Sequence, residues 1–227
     1  MPYLRNSCSI ILFHVKQSDI TYRHVPRETF SAVDKLIKEK REQLEHFLDR
    51  LLWWNKRINL VSRDVPRETI FEHIRHSLLI SGLQSYKDSS LIVDTGTGGG
   101  LPGIPLAIIS PEKEFILNDI VTKKVMAIKQ MARTLGLKNV SAVDFSIEKA
   151  TIDSPFLLVT KHAFKVNDLI RMTSGLPWQE IIFYKGMDFK EELEGIDTPL
   201  SITAYDLYKE NKEPFYRDKA LVVISRQ

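Results

Sequence analysis

The stretch that most restricts the fold of this chain is a short apolar run that ends in an acid and enters a glycine-rich turn. Residues 91–94 read Leu-Ile-Val-Asp, and residues 95–100 read Thr-Gly-Thr-Gly-Gly-Gly. Glycine adopts positive φ at no steric cost and has no Cβ, so the backbone of such a turn can approach a ligand closely. Pro102 and Pro105 fit only the first turn of a helix, where a missing amide hydrogen costs nothing. The stretch therefore predicts a strand, a ligand-binding turn and a helix that begins there.

The rest of the chain indicates an α/β fold. From Leu91 onward, short apolar strands alternate with helical patterns, which is typical of a parallel, doubly wound sheet. Strands are expected over residues 91–94, 114–119, 139–145, 156–160, 181–184, 201–207 and 220–225. The last two have no helix between them, so they should form an antiparallel hairpin at the edge of the sheet. We predict a seven-stranded, mostly parallel sheet with this C-terminal edge hairpin.

The N-terminal part is predicted to be helical. Apolar residues recur at three- and four-residue steps from Ser31 to Asn55, which indicates one amphipathic helix, and a second follows from Ile70 to Gly82. We interpret residues 31–88 as a helical cap, residues 89–227 as a Rossmann-like cofactor domain, and residues 1–30 as an extension with no readable pattern. Residues 25–29, Val-Pro-Arg-Glu-Thr, recur as residues 65–69. The repeat indicates chance or a shared helix start. An alternative hypothesis is that the pentapeptide and Phe13-His14-Val15-Lys16 record palindromic protein-binding sites in the gene.

Composition narrows the functional classes. The chain has 227 residues, of which 43% are hydrophobic, and carries a formal charge of +3. Cys8 is the one cysteine in the sequence, which excludes disulfides and CxxC metal sites and fits a reducing cytoplasm. No apolar run reaches the roughly 18 residues of a membrane helix. We therefore expect a cytoplasmic protein without a membrane span, and the mild basicity is compatible with a polyanionic partner.

Two cofactors compete for the glycine turn. Residues 98–103 fit the G-x-G-x-x-G pattern of dinucleotide-binding proteins. However, Asp94 stands two residues before Gly96, and D-x-G-x-G resembles the S-adenosylmethionine motif of Rossmann-like methyltransferases. A carboxylate there would bind the amino group of the methionine moiety, whereas it would repel a pyrophosphate. Asp119 is placed for ribose hydroxyls in either case. The pattern favours S-adenosylmethionine, with a dinucleotide oxidoreductase as the alternative.

The methyl acceptor is narrowed by the helper groups that each chemistry requires. Methylation of a pyrimidine carbon needs a thiolate nucleophile, and Cys8 lies far upstream of the predicted domain. Enzymes that methylate exocyclic amines usually have an Asn/Asp-Pro-Pro-aromatic turn where residues 160–164 read Thr-Lys-His-Ala-Phe. The guanine N7 atom needs neither device, because its lone pair carries no proton. Positioning would then supply nearly all of the catalysis, and no catalytic side chain is predicted.

Several motifs in order along the chain resemble the RsmG/GidB family. They are Trp54-Asn55-Lys56-x-x-Asn59-Leu60, Glu72-His73-x-x-His76-Ser77-Leu78, the glycine turn through Leu106, Asp119 with Lys123-Lys124, Leu137-Lys138-Asn139-Val140 and Lys185-Gly186. The resemblance runs from about Leu44 to the C-terminus. It implies a class I methyltransferase fold with an N-terminal helical cap, S-adenosylmethionine as cofactor, and methylation of a guanine N7 in small-subunit (16S) ribosomal RNA.

The resemblance also assigns residues. Together with the turn, it implies a cofactor site of Asp94, Gly96, Gly98, Gly100, Leu101, Asp119, Ile147, Glu148 and His162. From their charge and not from the resemblance, candidate RNA phosphate contacts are Lys56, Arg57, Arg63, Lys123, Lys124 and Lys185; for each single lysine, a solvated surface position is the alternative. Two positions depart from the family: His162, after Lys161, and Ser146 stand where arginines are usual. These departures leave open a catalytically impaired relative that still binds RNA or the ribosome.

Other candidate groups have simpler interpretations. His73 and His76 lie three residues apart on one predicted helix, but no carboxylate or thiol cluster completes a metal site, so we interpret them as packing residues and expect no metal. Trp53 and Trp54 could stack on RNA bases, although helical spacing favours a core position for at least one.

Overall fold

An eight-stranded sheet forms the centre of the computed structural model, which describes residues 20–62, 64–196 and 198–226. The strands are β1 (Ile20–His24), β2 (Leu91–Thr95), β3 (Glu114–Asn118), β4 (Val140–Val143), β5 (Phe156–Lys161), β6 (Trp178–Gly186), β7 (Leu200–Asp206) and β8 (Lys219–Arg226). Their order is β1-β7-β8-β6-β5-β2-β3-β4. Only β8 runs antiparallel to its neighbours among the described strands. The predicted α/β class with a mostly parallel sheet is confirmed.

Two details of the predicted sheet are wrong. The sheet has eight strands instead of seven, because β1 pairs in parallel with β7, with Ile20 opposite Ile202. The β7–β8 hairpin therefore does not lie at the edge, and β8 is inserted between β6 and β7. In β1 only Ile20 is buried and residues 21–24 are exposed. Such a strand shows no alternating pattern, so its sequence gave no signal.

Seven α-helices surround the sheet in the described residues: α1 (Arg27–Glu39), α2 (Arg41–Asn55), α3 (Arg67–Leu78), α4 (Gln84–Asp88), α5 (Gly103–Ile109), α6 (Thr122–Thr134) and α7 (Val166–Met172). The single helix predicted from Ser31 to Asn55 is wrong, because Lys40, with φ −107° and ψ 17°, separates α1 from α2. No glycine or proline marks this break, so the periodicity continues through it. A 3-10 turn, Leu79–Gly82, ends the second predicted helix as expected.

The repeated pentapeptide begins a helix in both places. Pro26 precedes α1 and Pro66 precedes α3, with φ of −61° and −56°, values that the proline ring imposes. Both copies therefore begin a helix, as the shared helix-start interpretation expects. The hypothesis about the gene stays untested.

The core has two apolar layers, one on each face of the sheet. Consecutive residues of β5 alternate between them: Leu157 and Val159 pack with the cap and helices α5 and α6, whereas Phe156 and Leu158 pack on the opposite face. This alternation follows from the two-residue period of a strand. Because both faces are covered, β5 reads as a continuous apolar run, as is usual for a central parallel strand. None of the described helices is long and apolar enough to cross a membrane.

Arg75 on α3 fastens the cap by ion pairs. Its guanidinium donates to both Asp34 carboxylate oxygens, at 2.7 and 3.1 Å, and also to Glu213 in the segment between β7 and β8. The residue is only 9% exposed. Burial by itself would lower the pKa of Arg75, but the hydrogen bonds to Asp34 and Glu213 raise that pKa above its usual value. One buried cation thus connects α1, α3 and the C-terminal hairpin.

We expect Arg75→Ala to lower the free energy of unfolding by about 2 kcal/mol, because it leaves Asp34 and Glu213 without their cation. The loss stays below that for a fully buried ion pair because both carboxylates are half-exposed. Urea unfolding followed by circular dichroism measures the change. The matched control is Arg171→Ala, which breaks an exposed pair with Asp168 on α7 and should cost less than about 0.5 kcal/mol. Equal effects for the two variants would contradict the role of Arg75.

Candidate functional site

A cavity of about 830 Å³ opens where β2, β3 and β5 end. The turn after β2, the segment after β3 and the segment after β5 line one side, and the cap lines the other with Val61, Ser62, Val65, Ile70 and His73. The carboxyl edge of a parallel sheet is the usual ligand site of doubly wound folds. The described residues contain no group of three or more metal-ligating side chains.

The glycines of the turn are required mostly by the protein's own packing. Gly96, Gly98 and Gly100 have φ of 68°, 55° and 87°, which only glycine adopts readily. A Cβ on Gly96 would lie 2.3 Å from the Cβ of Ala163, and one on Gly100 would lie 2.7 Å from Ile104. A Cβ on Gly98 would come no closer than 3.6 Å to any atom. Gly96 and Gly98 line the cavity, whereas Gly100 lies behind it.

Asp94 lies buried beneath the turn and holds it closed. One carboxylate oxygen accepts hydrogen bonds from the Thr97 hydroxyl at 2.6 Å and the Gly103 amide at 2.9 Å. The other oxygen is buried and has no partner among the described residues. Burial raises the pKa of Asp94 to about 7, although the two hydrogen bonds oppose the shift. A buried acceptor without a partner is unfavourable, so a ligand that donates to it would be stabilised.

Asp119 fixes the middle of the turn. Its two carboxylate oxygens accept from the amides of Gly98 at 3.0 Å and Val121 at 2.9 Å, and Lys124 lies 4.0 Å away. A carboxylate has about four acceptor positions, so two stay available to a ligand in the cavity. Asn118 beside it accepts from Thr95 and donates to the Phe145 carbonyl. Sequence reasoning missed Asn118; its position at a strand end beside Asp119 was the available signal.

Lys161 is the last residue of β5, and His162 follows it. The Lys161 ammonium is buried and donates to the His73 carbonyl at 2.8 Å and the Ser77 hydroxyl at 3.2 Å, so it ties the sheet to α3. Burial lowers its pKa to about 7, and the attraction of Asp94 opposes this. His162 is exposed, lines the cavity and has φ of 56°, an uncommon value for a residue other than glycine.

The histidines at the cavity are uncharged at neutral pH. Desolvation and the nearby Lys161 lower the pKa of His73 to about 3 and that of His162 to about 4. His76 is fully buried against Tyr184 and Tyr216. The interpretation of His73 and His76 as packing residues agrees with these contacts, although His73 also lines the cavity.

Most predicted cofactor residues meet in this cavity. Its lining includes Gly96, Gly98, Leu101, Asp119, Ile147 and His162. Asp94 and Gly100 shape the turn from behind, and Glu148 is exposed outside the lining, within 3.5 Å of Ser146. The lining also contains residues that sequence reasoning did not select, among them Asn118, Ile120, Val121, Phe164 and Met172.

The predicted RNA-contact residues are dispersed. Lys124 lines the cavity, while Lys56, Arg57 and Lys123 are exposed. Lys185 is 9% exposed and bound to Glu192 at 2.5 Å, a poor position for a phosphate contact. Arg63 lies outside the described residues.

The two tryptophans have different environments. Trp53 is 39% exposed, and the guanidinium of Arg57 lies 3.4 Å from its ring centre. Trp54 is half-buried and packs against the core, as predicted for at least one of the two.

Comparison with known proteins gives a consistent result. A family described as rRNA small subunit methyltransferase G matches residues 40–212. A ribosomal RNA small subunit methyltransferase G from Vibrio campbellii is 35% identical over 205 residues, 88% of this chain and 95% of that protein. One from Shewanella amazonensis is 40% identical over 161 residues, 70% of this chain and 77% of that protein.

A solved structure supports the fold. The S-adenosylmethionine-dependent methyltransferase SibL in its apo form superposes with a TM-score of 0.52 at 10% identity, covering 70% of this chain and 57% of that one. The predicted resemblance and the Rossmann-like fold class are confirmed.

We predict that Gly96→Ala lowers the free energy of unfolding by about 3 kcal/mol, from about 1 kcal/mol of backbone strain plus overpacking against Ala163 and the Phe164 ring. Gly98→Ala is the matched control, since it meets the same strain without the contact, and should lose about 1 kcal/mol. Chemical denaturation measures both. The double change Gly96→Ala with Ala163→Gly should recover the part of the overpacking that comes from Ala163, while the contact with Phe164 at 2.9 Å remains. No recovery would show that the Ala163 contact is not a cause.

Proposed function

Because the chain belongs to the rRNA small subunit methyltransferase G family, we propose that it transfers a methyl group from S-adenosylmethionine to N7 of a guanine in small-subunit ribosomal RNA. The observation that carries the proposal is the cavity itself. On one side, directly behind the lining turn, Asp94 has a buried carboxylate oxygen without a partner among the described residues, and the other side has no strong proton acceptor among its described lining residues.

The cavity residues fit this cofactor. The free oxygen of Asp94 suits the amino group of the methionine moiety, directly or through water, and the open positions on Asp119 suit the ribose hydroxyls. Ile120 and Ile147 line the cavity beside Asp119 and would flank the adenine. S-adenosylmethionine, when bound, supplies an electrophilic methyl group on a sulfonium.

The acceptor side favours an atom that loses no proton. Asp119, on the cofactor side, is the one carboxylate among the described lining residues. The lowered pKa values of His73 and His162 make both imidazoles weak bases. A guanine N7 would offer a lone pair that carries no proton, so no base would be needed, and the methylated purine would carry the positive charge. Neutral imidazoles would not repel that charge.

The remaining work of the chain is positioning. Val61, Val65 and Ile70 give the cap side of the cavity an apolar wall that excludes water from the acceptor. Lys161 holds α3 on β5 through the His73 carbonyl and the Ser77 hydroxyl. Holding an extruded base in line with the methyl group can supply most of the rate enhancement.

Cofactor binding should depend on pH through Asp94. With a pKa raised to about 7, most Asp94 side chains are protonated at pH 6 and cannot pair with an ammonium group. The affinity for S-adenosylmethionine should therefore rise about tenfold from pH 6 to pH 8, with proton release near pH 7. Isothermal titration in buffers of different ionisation enthalpy measures both quantities.

Asp94→Asn is the matched variant, since it keeps the shape and can still bond Thr97 and Gly103. It should bind at least tenfold more weakly at pH 8 and lose the pH dependence. A wild-type affinity that does not change with pH would contradict the assignment.

The direct test of the proposed function uses ribosomal RNA from cells that lack the protein. Incubation of isolated small subunits, or of the extracted RNA, with the protein and S-adenosylmethionine should create one new N7-methylguanine, mapped by chemical strand cleavage. Cofactor binding without any new cleavage site would favour the impaired relative, and absence of cofactor binding would overturn the proposal.

A further inference from the structure

One continuous part of the chain is strongly basic. Residues 120–143 contain no aspartate or glutamate and five cations, which are Lys123, Lys124, Lys129, Arg133 and Lys138. The whole chain has 32 basic and 29 acidic residues, so its charges nearly balance and the excess of positive charge in residues 120–143 is local. The segment comprises α6 with its flanking loops and β4.

The cations of α6 lie on its outer face. Val125, Ala127, Ile128, Met131 and Ala132 are buried. Lys123, Met126, Lys129 and Arg133 are exposed and follow one another at three- and four-residue steps, so they share one side of the helix, and the exposed Gln130 lies four residues from Met126 on the same side. Within the described residues, the cations on this face have no carboxylate partner within 4.0 Å. Cations elsewhere do have such partners, namely Arg67, Arg75, Arg171 and Lys185.

This outer face starts at the cavity. Val121 and Lys124 at the beginning of α6 line it, and 13 residues at about 1.5 Å each carry the helix about 20 Å away from it. Apolar groups accompany the cations: Ile120 is 71% exposed and Met126 is 62% exposed. Free cations mixed with exposed apolar side chains suit an RNA strand, which offers phosphates and base faces together.

We propose that the exposed face of α6, with Lys123, Lys129 and Arg133, is the surface that binds the RNA backbone leading to the methylated nucleotide. This proposal adds an RNA-binding surface to the proposed function, and it rests on that function for the identity of the RNA. Lys124 at the cavity mouth connects it to the site. The cations act as phosphate contacts, so they contribute affinity and orientation but no base specificity.

The test compares a double variant, which carries both Lys129→Gln and Arg133→Gln, with the wild-type protein. The matched control is Lys35→Gln with Lys38→Gln on α1, which removes two exposed cations elsewhere. The probe is a fluorescein-labelled RNA hairpin with a mixed-sequence loop, and fluorescence anisotropy gives its affinity between about 50 and 200 mM salt.

Losing two contacts should reduce the slope of log affinity against log salt by about 1.4 and weaken binding about tenfold near 0.1 M salt. The control should behave as wild type. Binding of S-adenosylmethionine by the α6 variant, measured by titration calorimetry, should not change, because neither residue lines the cavity.

An unchanged slope and affinity in the α6 variant would overturn the proposal, as would an equal loss in the α1 control. The proposed function can fail while the surface proposal holds. This is the outcome if RNA binding depends on α6 but the wild-type protein does not methylate small-subunit RNA. If the α6 variant methylates the RNA with an unaltered KM, the activity is supported and the proposal that the α6 face binds RNA is overturned.

Discussion

Two carboxylates at the ends of neighbouring strands hold the turn on which the site depends. Asp94 accepts the Gly103 amide that starts α5, and Asp119 accepts the Gly98 amide in the middle of the turn. Each therefore satisfies a backbone donor that burial would otherwise leave without a partner. Asp94 has one oxygen left over and Asp119 has open acceptor positions. The same two side chains thus close the turn and provide the polar groups that a cofactor can use.

The cap and the sheet depend on this turn and on each other. A Cβ on Gly99 would lie 2.8 Å from the Leu51 side chain, so α2 packs closely on the turn. The Asn55 side chain accepts from the amides of Leu60 and Val61 and fixes the loop that forms the cavity wall. On the other side, Lys161 and Tyr184 both donate to the end of α3. A cavity between two such layers keeps its shape because neither layer can shift alone.

The sequence predicted the parts of the fold that follow from local patterns. The β2 strand, the glycine turn and α5 were predictable because positive φ and the proline positions leave few alternatives. The prediction was wrong for Pro102, which precedes α5 as its N-cap, whereas Pro105 lies in the first turn. Gly136, with φ of 69°, ends α6 as its sequence indicated. The pattern failed where the signal is not local: β1 has one buried residue, and the Lys40 break has no glycine or proline.

By itself, the sequence determined the class of the fold, the turn and the order of family motifs, because strand and helix periods and special backbone angles are properties of neighbouring residues. Only the tertiary structure decided the roles. It buried Lys185 against Glu192 and Lys161 against α3, whereas Lys129 and Arg133 stayed exposed without a partner among the described residues. It also separated the packing glycines, Gly96 and Gly100, from Gly98. Burial, pairing and close approach arise from residues distant in sequence, so no local pattern could assign them.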